Sequence, residues 1–266
     1  MLFAQAFFNI NGGLVIGGLL GGFLVGLTGM GGGALLTPML VLIFHVSPLA
    51  AISSDLVVSL AIKPVGAAVH AKQRTVRRDI VKWLALGSVP MAFAGAVLLD
   101  VIGAKRTHRP LEVALGVTLV FAAAAMTLRM WMAYRRRHGI VSTLPTLVRP
   151  WPTLAIGLAG GLIVGLTSVG SGSLMLVLMM WVYPRLTTAE LVGTDLAQAI
   201  PLVASAALGH VLFGQVQIAV VGALLIGALP GVWIGSQVSS RAPDHVIRPA
   251  LATVLVATGL KMLRFL

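Results

Sequence analysis

Gly21-Gly22-Phe23-Leu24-Val25-Gly26-Leu27-Thr28 and Gly160-Gly161-Leu162-Ile163-Val164-Gly165-Leu166-Thr167 repeat one pattern of glycine and bulky apolar residues in the two halves of the chain. Beyond it, Gly31 and Gly33 fall on Gly170 and Gly172. After one inserted residue the register resumes. Asp55 then matches Asp195, His70 matches His210, Pro90 matches Pro230 and Gly95 matches Gly235. Such residue types at identical separations mark an internal duplication.

Each copy is made of apolar runs. They lie near 12–28, 31–46, 52–71, 80–103 and 111–132, then near 153–169, 172–184, 187–213, 216–238 and 246–264. The 266 residues are 58% hydrophobic and 10% charged, against roughly 25% charged in soluble domains. Mean hydropathy is +1.00. A soluble domain of this size has too much surface to hide that apolar content, whereas lipid solvates it. The fold class is therefore an all-α polytopic membrane protein of about 8–10 hydrophobic segments. Residues 1–132 form a first transmembrane repeat, 133–152 a basic linker with Pro145, Pro150 and Pro152, and 153–266 a second repeat.

A full span needs about 20 residues. The first two runs of each half are short and meet at a Gly-rich break, so each pair reads as two tilted spans or one re-entrant hairpin. Either way each half crosses an odd number of times, and the two repeats have inverted topology. Loop charge agrees. Lys72, Arg74, Arg77, Arg78 and Lys82 cluster in one loop, whose counterpart Phe213-Gly214-Gln215-Val216-Gln217 is uncharged. Arg135, Arg136 and Arg137, and then Arg241 and Arg248, fall on the same side as the basic loop. The positive-inside rule makes that side cytoplasmic and puts both termini outside. Lys105, Arg106 and Arg109 fall outside, against the rule. The net charge of +12 thus belongs to loops at a membrane surface, and no nucleic-acid partner is expected. No cysteine is present, so there is no thiolate metal site, and no cofactor is expected. The N-terminus lacks a basic n-region and a cleavage site, so no removed signal peptide is read. Trp83, Trp131, Trp151 and Trp181 lie near run ends, as interfacial anchors do.

The broken segments Gly26-Leu27-Thr28-Gly29-Met30-Gly31-Gly32-Gly33 and Gly165-Leu166-Thr167-Ser168-Val169-Gly170-Ser171-Gly172 are the first candidate site. A helix starting after such a break points free N–H groups at its surroundings, and two brought together by symmetry suit an anion near the midplane. Thr28, Gly31, Gly32, Gly33, Thr167, Ser168, Gly170, Ser171 and Gly172 are its candidate substrate-binding residues, with Ser173 a further hydroxyl. Close helix packing by small residues is the competing reading. No Lys-Ser/Thr follows either break, which excludes a phosphate-binding loop.

Asp55 and Asp195 are buried-acid candidates for proton coupling, against a reading as helix N-caps. Lys63, a cation deep in an apolar run, is a candidate anion contact, against snorkelling to the interface. His70 and His210 are candidate proton carriers or interfacial hydrogen-bonding residues. Neither shows metal-ligand spacing, and no metal is expected. Gln198 lies beside Asp195, where Pro201 breaks the helix as Lys63-Pro64 does in the first half. It joins the candidate pocket.

On these residues the chain resembles the sulfite exporter TauE/SafE family of membrane permeases. The resemblance runs from Gly31-Gly32-Gly33 to Pro38, through Lys63-Pro64-Val65-Gly66 to His70, Val192-Gly193-Thr194-Asp195-Leu196, and Leu229-Pro230-Gly231 to Gly235-Ser236. It implies export of a small anion such as sulfite, sulfoacetate or a related organic anion. Ser53-Ser54-Asp55 departs from the Gly-Thr-Asp form, and Ser168 and Ser171 stand in place of glycines. The expected protein is a secondary transporter, not an enzyme, in the cytoplasmic membrane. Its partners are a small anionic substrate and the lipid bilayer, with a homodimer allowed. The alternatives are a cation or metal permease and a non-transport membrane subunit. No nucleophile–base pair or metal cluster supports a membrane enzyme.

Overall fold

The computed structural model describes residues 12–28, 32–72, 75–103, 109–136, 147–239 and 244–264. Among them are ten α-helices and no strand. The first half contributes α1 (Gly12–Thr28), α2 (Leu36–Leu42), α3 (Pro48–Lys72), α4 (Arg78–Val101) and α5 (Arg109–Arg136). The second contributes α6 (Pro150–Thr167), α7 (Leu174–Val182), α8 (Thr188–Phe213), α9 (Ile218–Ser239) and α10 (Asp244–Arg264). Five stretches are long and apolar enough to cross a bilayer: Arg78–Val101, Arg109–Met132, Pro150–Thr167, Ala189–Phe213 and Ile218–Val238. Helices are the outcome because lipid offers no hydrogen bonds, so each backbone group bonds within its own segment. Leu20, Leu86, Phe121, Leu212 and Trp233 are exposed. On a soluble protein such residues would invite aggregation, whereas in a membrane they meet lipid. The chain is a multi-pass α-helical membrane protein.

The halves pair crosswise. α1 packs on α9, and α6 packs on α4. A Cβ on Gly18, Gly22 or Gly26 would strike the carbonyl oxygen of Leu224, Ala228 or Val232. At the matching places, one on Gly157, Gly161 or Gly165 would strike that of Leu84, Ser88 or Ala92. A glycine every four residues keeps one face of the helix bare, so the backbones touch without side chains between them. Here the glycines pack helices, and of the two broken segments Gly26 and Gly165 follow the competing reading.

α3 and α8 run antiparallel. Ser53, near the start of α3, meets His210, near the end of α8, at 2.8 Å. Beyond the far end of α3 the Arg77 amide donates to Thr194 Oγ1 at 3.1 Å, and at the other end the Gln217 amide donates to Ser54 Oγ, also at 3.1 Å. These last two bonds are equivalents under the duplication. α5 and α10 also run antiparallel, with Gly116 against Gly259 and Leu263, and Gly259 against Leu119 and Val120.

The short helices fold back. A Cβ on Gly21 would meet Leu36 of α2, and one on Gly160 would meet Met175 of α7. α2 has 7 residues and α7 has 9, lengths of only about 10–14 Å, so neither recrosses a core of about 30 Å.

Two expectations from the sequence are corrected. Pro64 and Pro201 do not break their helices; α3 and α8 run on through both. Nor are the acids N-caps. Thr187 caps α8, accepting from the Glu190 amide at 3.2 Å, while the Glu190 carboxylate accepts from the Thr187 amide at 2.9 Å. This capping box starts α8 about two turns before Asp195, and α3 starts at Pro48, about two turns before Asp55.

Candidate functional site

After α6 the chain turns on Ser168, which is left-handed (φ 60°), and Gly172 has φ 102°. A side chain at Gly172 would strain the backbone, so glycine is required for this turn. After α1 the chain resumes in a short 3-10 turn, Gly32–Ala34. The two turns meet. A Cβ on Gly33 would overlap the Ser168 carbonyl, so the two Gly-rich segments touch backbone to backbone.

α3 lies across this junction. Asp55 is fully buried. Its Oδ2 accepts two hydroxyl bonds, from Thr37 at 3.0 Å and from Ser168 at 2.5 Å. The first donor comes from α2 and the second from the other half. Among the described residues Asp55 Oδ1 has no hydrogen-bond partner, nor has the Ser59 hydroxyl one turn further along α3. Another turn on, Lys63 is 6% exposed, and its Nζ donates to Ser171 Oγ at 2.7 Å. Snorkelling is excluded, because the ammonium turns inward to the other half's Gly-rich turn. The charges whose field reaches it are Asp195 and Asp55. Asp195 is 2% exposed, at the matching place on α8. The resulting cluster holds a cation, carboxylates and hydroxyls in an apolar surround, drawn from both halves.

Other candidates fall elsewhere. Gln198 is fully buried, but Ser88 Oγ donates to its Oε1 at 3.1 Å and its Nε2 donates to Met175 Sδ at 3.0 Å. It therefore faces α4 and α7. Thr167 turns back on its own helix, donating to the Ile163 carbonyl at 2.7 Å. Gly170 lies among Ile163, Val164 and Leu174. His210 Nε2 donates to the Gly165 carbonyl at 2.8 Å, and its Nδ1 meets Ser53 Oγ. Gly31 and the side chains of Thr28 and His70 lie outside the described residues. Among the described residues no group of three or more His, Cys, Asp or Glu could hold a metal. A cavity of about 270 Å³ lined by Val41, Leu42, His45, Glu112, Lys261 and Met262 shares no residue with the cluster.

Thr37 and Ser59 were not singled out from the sequence. Ser59 had a signal: it is four residues from both Asp55 and Lys63, hence on their helical face. Thr37 had none, because only the fold-back of α2 brings it to Asp55.

Comparison with known proteins agrees with this architecture. The family model described as "Sulfite exporter TauE/SafE" matches residues 14–262. The chain is 36% identical over 252 residues to the "Probable membrane transporter protein YjnA" of Bacillus subtilis (strain 168), covering 94% of this chain and 98% of that protein. It is 24% identical over 243 residues to the "Probable membrane transporter protein YdhB" of the same organism, covering 91% and 96%. No solved structure matches. With the family model reaching into all ten helices, the chain belongs to the sulfite exporter TauE/SafE family and is a membrane transporter rather than an enzyme.

Proposed function

We propose that this protein is a secondary transporter that exports a small anion, sulfite or sulfoacetate or a related organic anion, across the cytoplasmic membrane. The observation that carries the reading is the bond from Lys63 of the first half to Ser171 of the second. A buried ammonium is costly unless it is compensated; the fields of Asp195 and Asp55 reach Lys63, but the group it bonds, the Ser171 hydroxyl, is neutral. An anion entering between them gains a full positive charge and a hydroxyl donor. The family's printed description, sulfite exporter, points to the same class of cargo.

The two halves act as inverted repeats. Equivalent helices running antiparallel, α3 with α8 and α5 with α10, support that reading. Rocking one half against the other would expose the junction of the Gly-rich turns to each side in turn. An inside-negative potential favours anion exit by about 2.3 kcal/mol per charge per 100 mV. Any coupling ion falls to the buried acids, since both ring nitrogens of His210 already have partners.

The test is sulfite and sulfoacetate efflux from proteoliposomes. Saturable flux that Lys63→Ala abolishes is the expected result. Saturable flux of either anion that survives Lys63→Ala removes the site. No flux of either anion removes sulfite and sulfoacetate as cargo and reopens the cation permease.

A further inference from the structure

Asp55 Oδ1 and Ser59 Oγ are buried oxygens without partners among the described residues, on residues 0% and 2% exposed. They face one spot. A Cβ on Gly32 would lie 3.2 Å from Asp55 Oδ1 and 3.1 Å from Ser59 Oγ, with a Leu36 methyl at 3.0 Å. Burying a carboxylate oxygen without a donor is expensive. Oδ2 does not relieve this, because its two donors, Thr37 and Ser168, both lie on its own side. Oδ1 of an ionised carboxylate only accepts, and the Ser59 hydroxyl can turn its proton away to present a lone pair. Hard oxygen acceptors converging with no donor are the chemistry of a cation site. A single carboxylate suits a single positive charge, since divalent ions recruit several acids.

The duplication singles out the first half. Asp195 repeats Asp55, but Ala199 and Val203 stand where the first half has Ser59 and Lys63. Acid, hydroxyl and amine therefore occupy successive turns of one face on α3 alone. The irregular turn at Gly32–Ala34 adds backbone freed from regular helix, as at coupling-ion sites in broken-helix transporters.

We propose that Asp55 Oδ1 and Ser59 Oγ, beside Gly32, hold a small monovalent cation of sodium size, and that it binds cooperatively with the anion at Lys63. The field of Asp55 reaches Lys63, and an ionised Asp55 repels an anion there. A cation on Asp55 cancels the repulsion, and by linkage each ligand tightens the other. The cooperative half rests on the anion-transport reading, whereas the cation site does not.

The experiment is binding of radioactive sodium to the purified full-length protein in detergent, first without any anion. Saturable binding is expected, displaced by lithium more readily than by potassium. Ser59→Ala should weaken it about tenfold, the loss of one hydrogen-bond-scale contact to a charge. That variant should fold, because the second half carries Ala199 at the same place. Gly32→Ala, which puts a methyl beside both oxygens, should abolish binding, whereas Lys63→Met, which removes a positive charge whose field reaches Asp55, should keep it and tighten it. No saturable sodium binding by folded protein, or binding indifferent to both Ser59→Ala and Gly32→Ala, overturns the site. So does proton exchange at Asp55 with no metal bound. Sulfite is then added, and wild type should bind sodium about fivefold tighter, within the usual range of coupling between sites, while Lys63→Met should not. Sodium binding that sulfite leaves unchanged keeps the cation site and overturns the coupling.

Discussion

Gly33 of one half and Ser168 of the other lie in backbone contact, so that no side chain fits between them. Their contact joins the two Gly-rich turns, one from each half. Gly33→Ala should therefore cost about 1–3 kcal/mol, the usual penalty of overpacking, and lower the melting temperature in detergent. Gly222, on α9, has nothing within 4 Å of its Cβ position. Gly222→Ala should leave stability unchanged or raise it by up to about 1 kcal/mol. Equal losses in the two variants would mean that the contact at Gly33 is not rigid.

Ser171 separates the contributions of charge and hydroxyl at the proposed anion site. Ser171→Ala keeps the Lys63 ammonium and removes its 2.7 Å partner. The KM for efflux should rise about tenfold, the scale of one hydrogen bond to a charged group, with efflux still measurable. Lys63→Arg should not restore wild-type flux, because a planar guanidinium does not fit where a point charge was buried. Efflux kinetics of the two variants side by side check both expectations.

His210 holds three elements together. Its Nε2 carries a proton, since the Gly165 carbonyl can only accept, and its Nδ1 meets Ser53 Oγ, which also accepts from the Gln215 amide at 3.2 Å. His210→Ala strands these groups and should cost about 1–3 kcal/mol. Flux per folded molecule and its pH profile should stay as in wild type. An altered pH profile in normally folded His210→Gln would restore the ring as a proton carrier.

Because the chain has no cysteine, single-cysteine variants report topology without background. Thr75→Cys, between α3 and α4, should react with an impermeant thiol reagent only from the cytoplasmic side. Gln217→Cys, between α8 and α9, should react only from outside. Labelling of both from one side would rule out inverted repeats.

Much of the architecture was legible in the chain. The run near 80–103 became Arg78–Val101, and that near 187–213 became Thr188–Phe213. Lipid leaves an apolar run of that length little choice but a self-bonded helix, so composition and length set the spans. The duplication, too, could be read off, because matched residues need no coordinates to be compared. It located Asp55, Asp195, Ser168 and Ser171 without saying which of them meet.

Only the tertiary structure decided that. Ser168 reaches Asp55 across 113 positions of chain, and Lys63 reaches Ser171 across 108. Gln198, equally polar and only three residues from Asp195, turns instead to Ser88 and Met175. Local spacing fixes which face of a helix a residue occupies, and nothing more. Which helix that face meets depends on the bare glycine surfaces that set α1 on α9 and α6 on α4, and on the fold-back that carries Thr37 to Asp55.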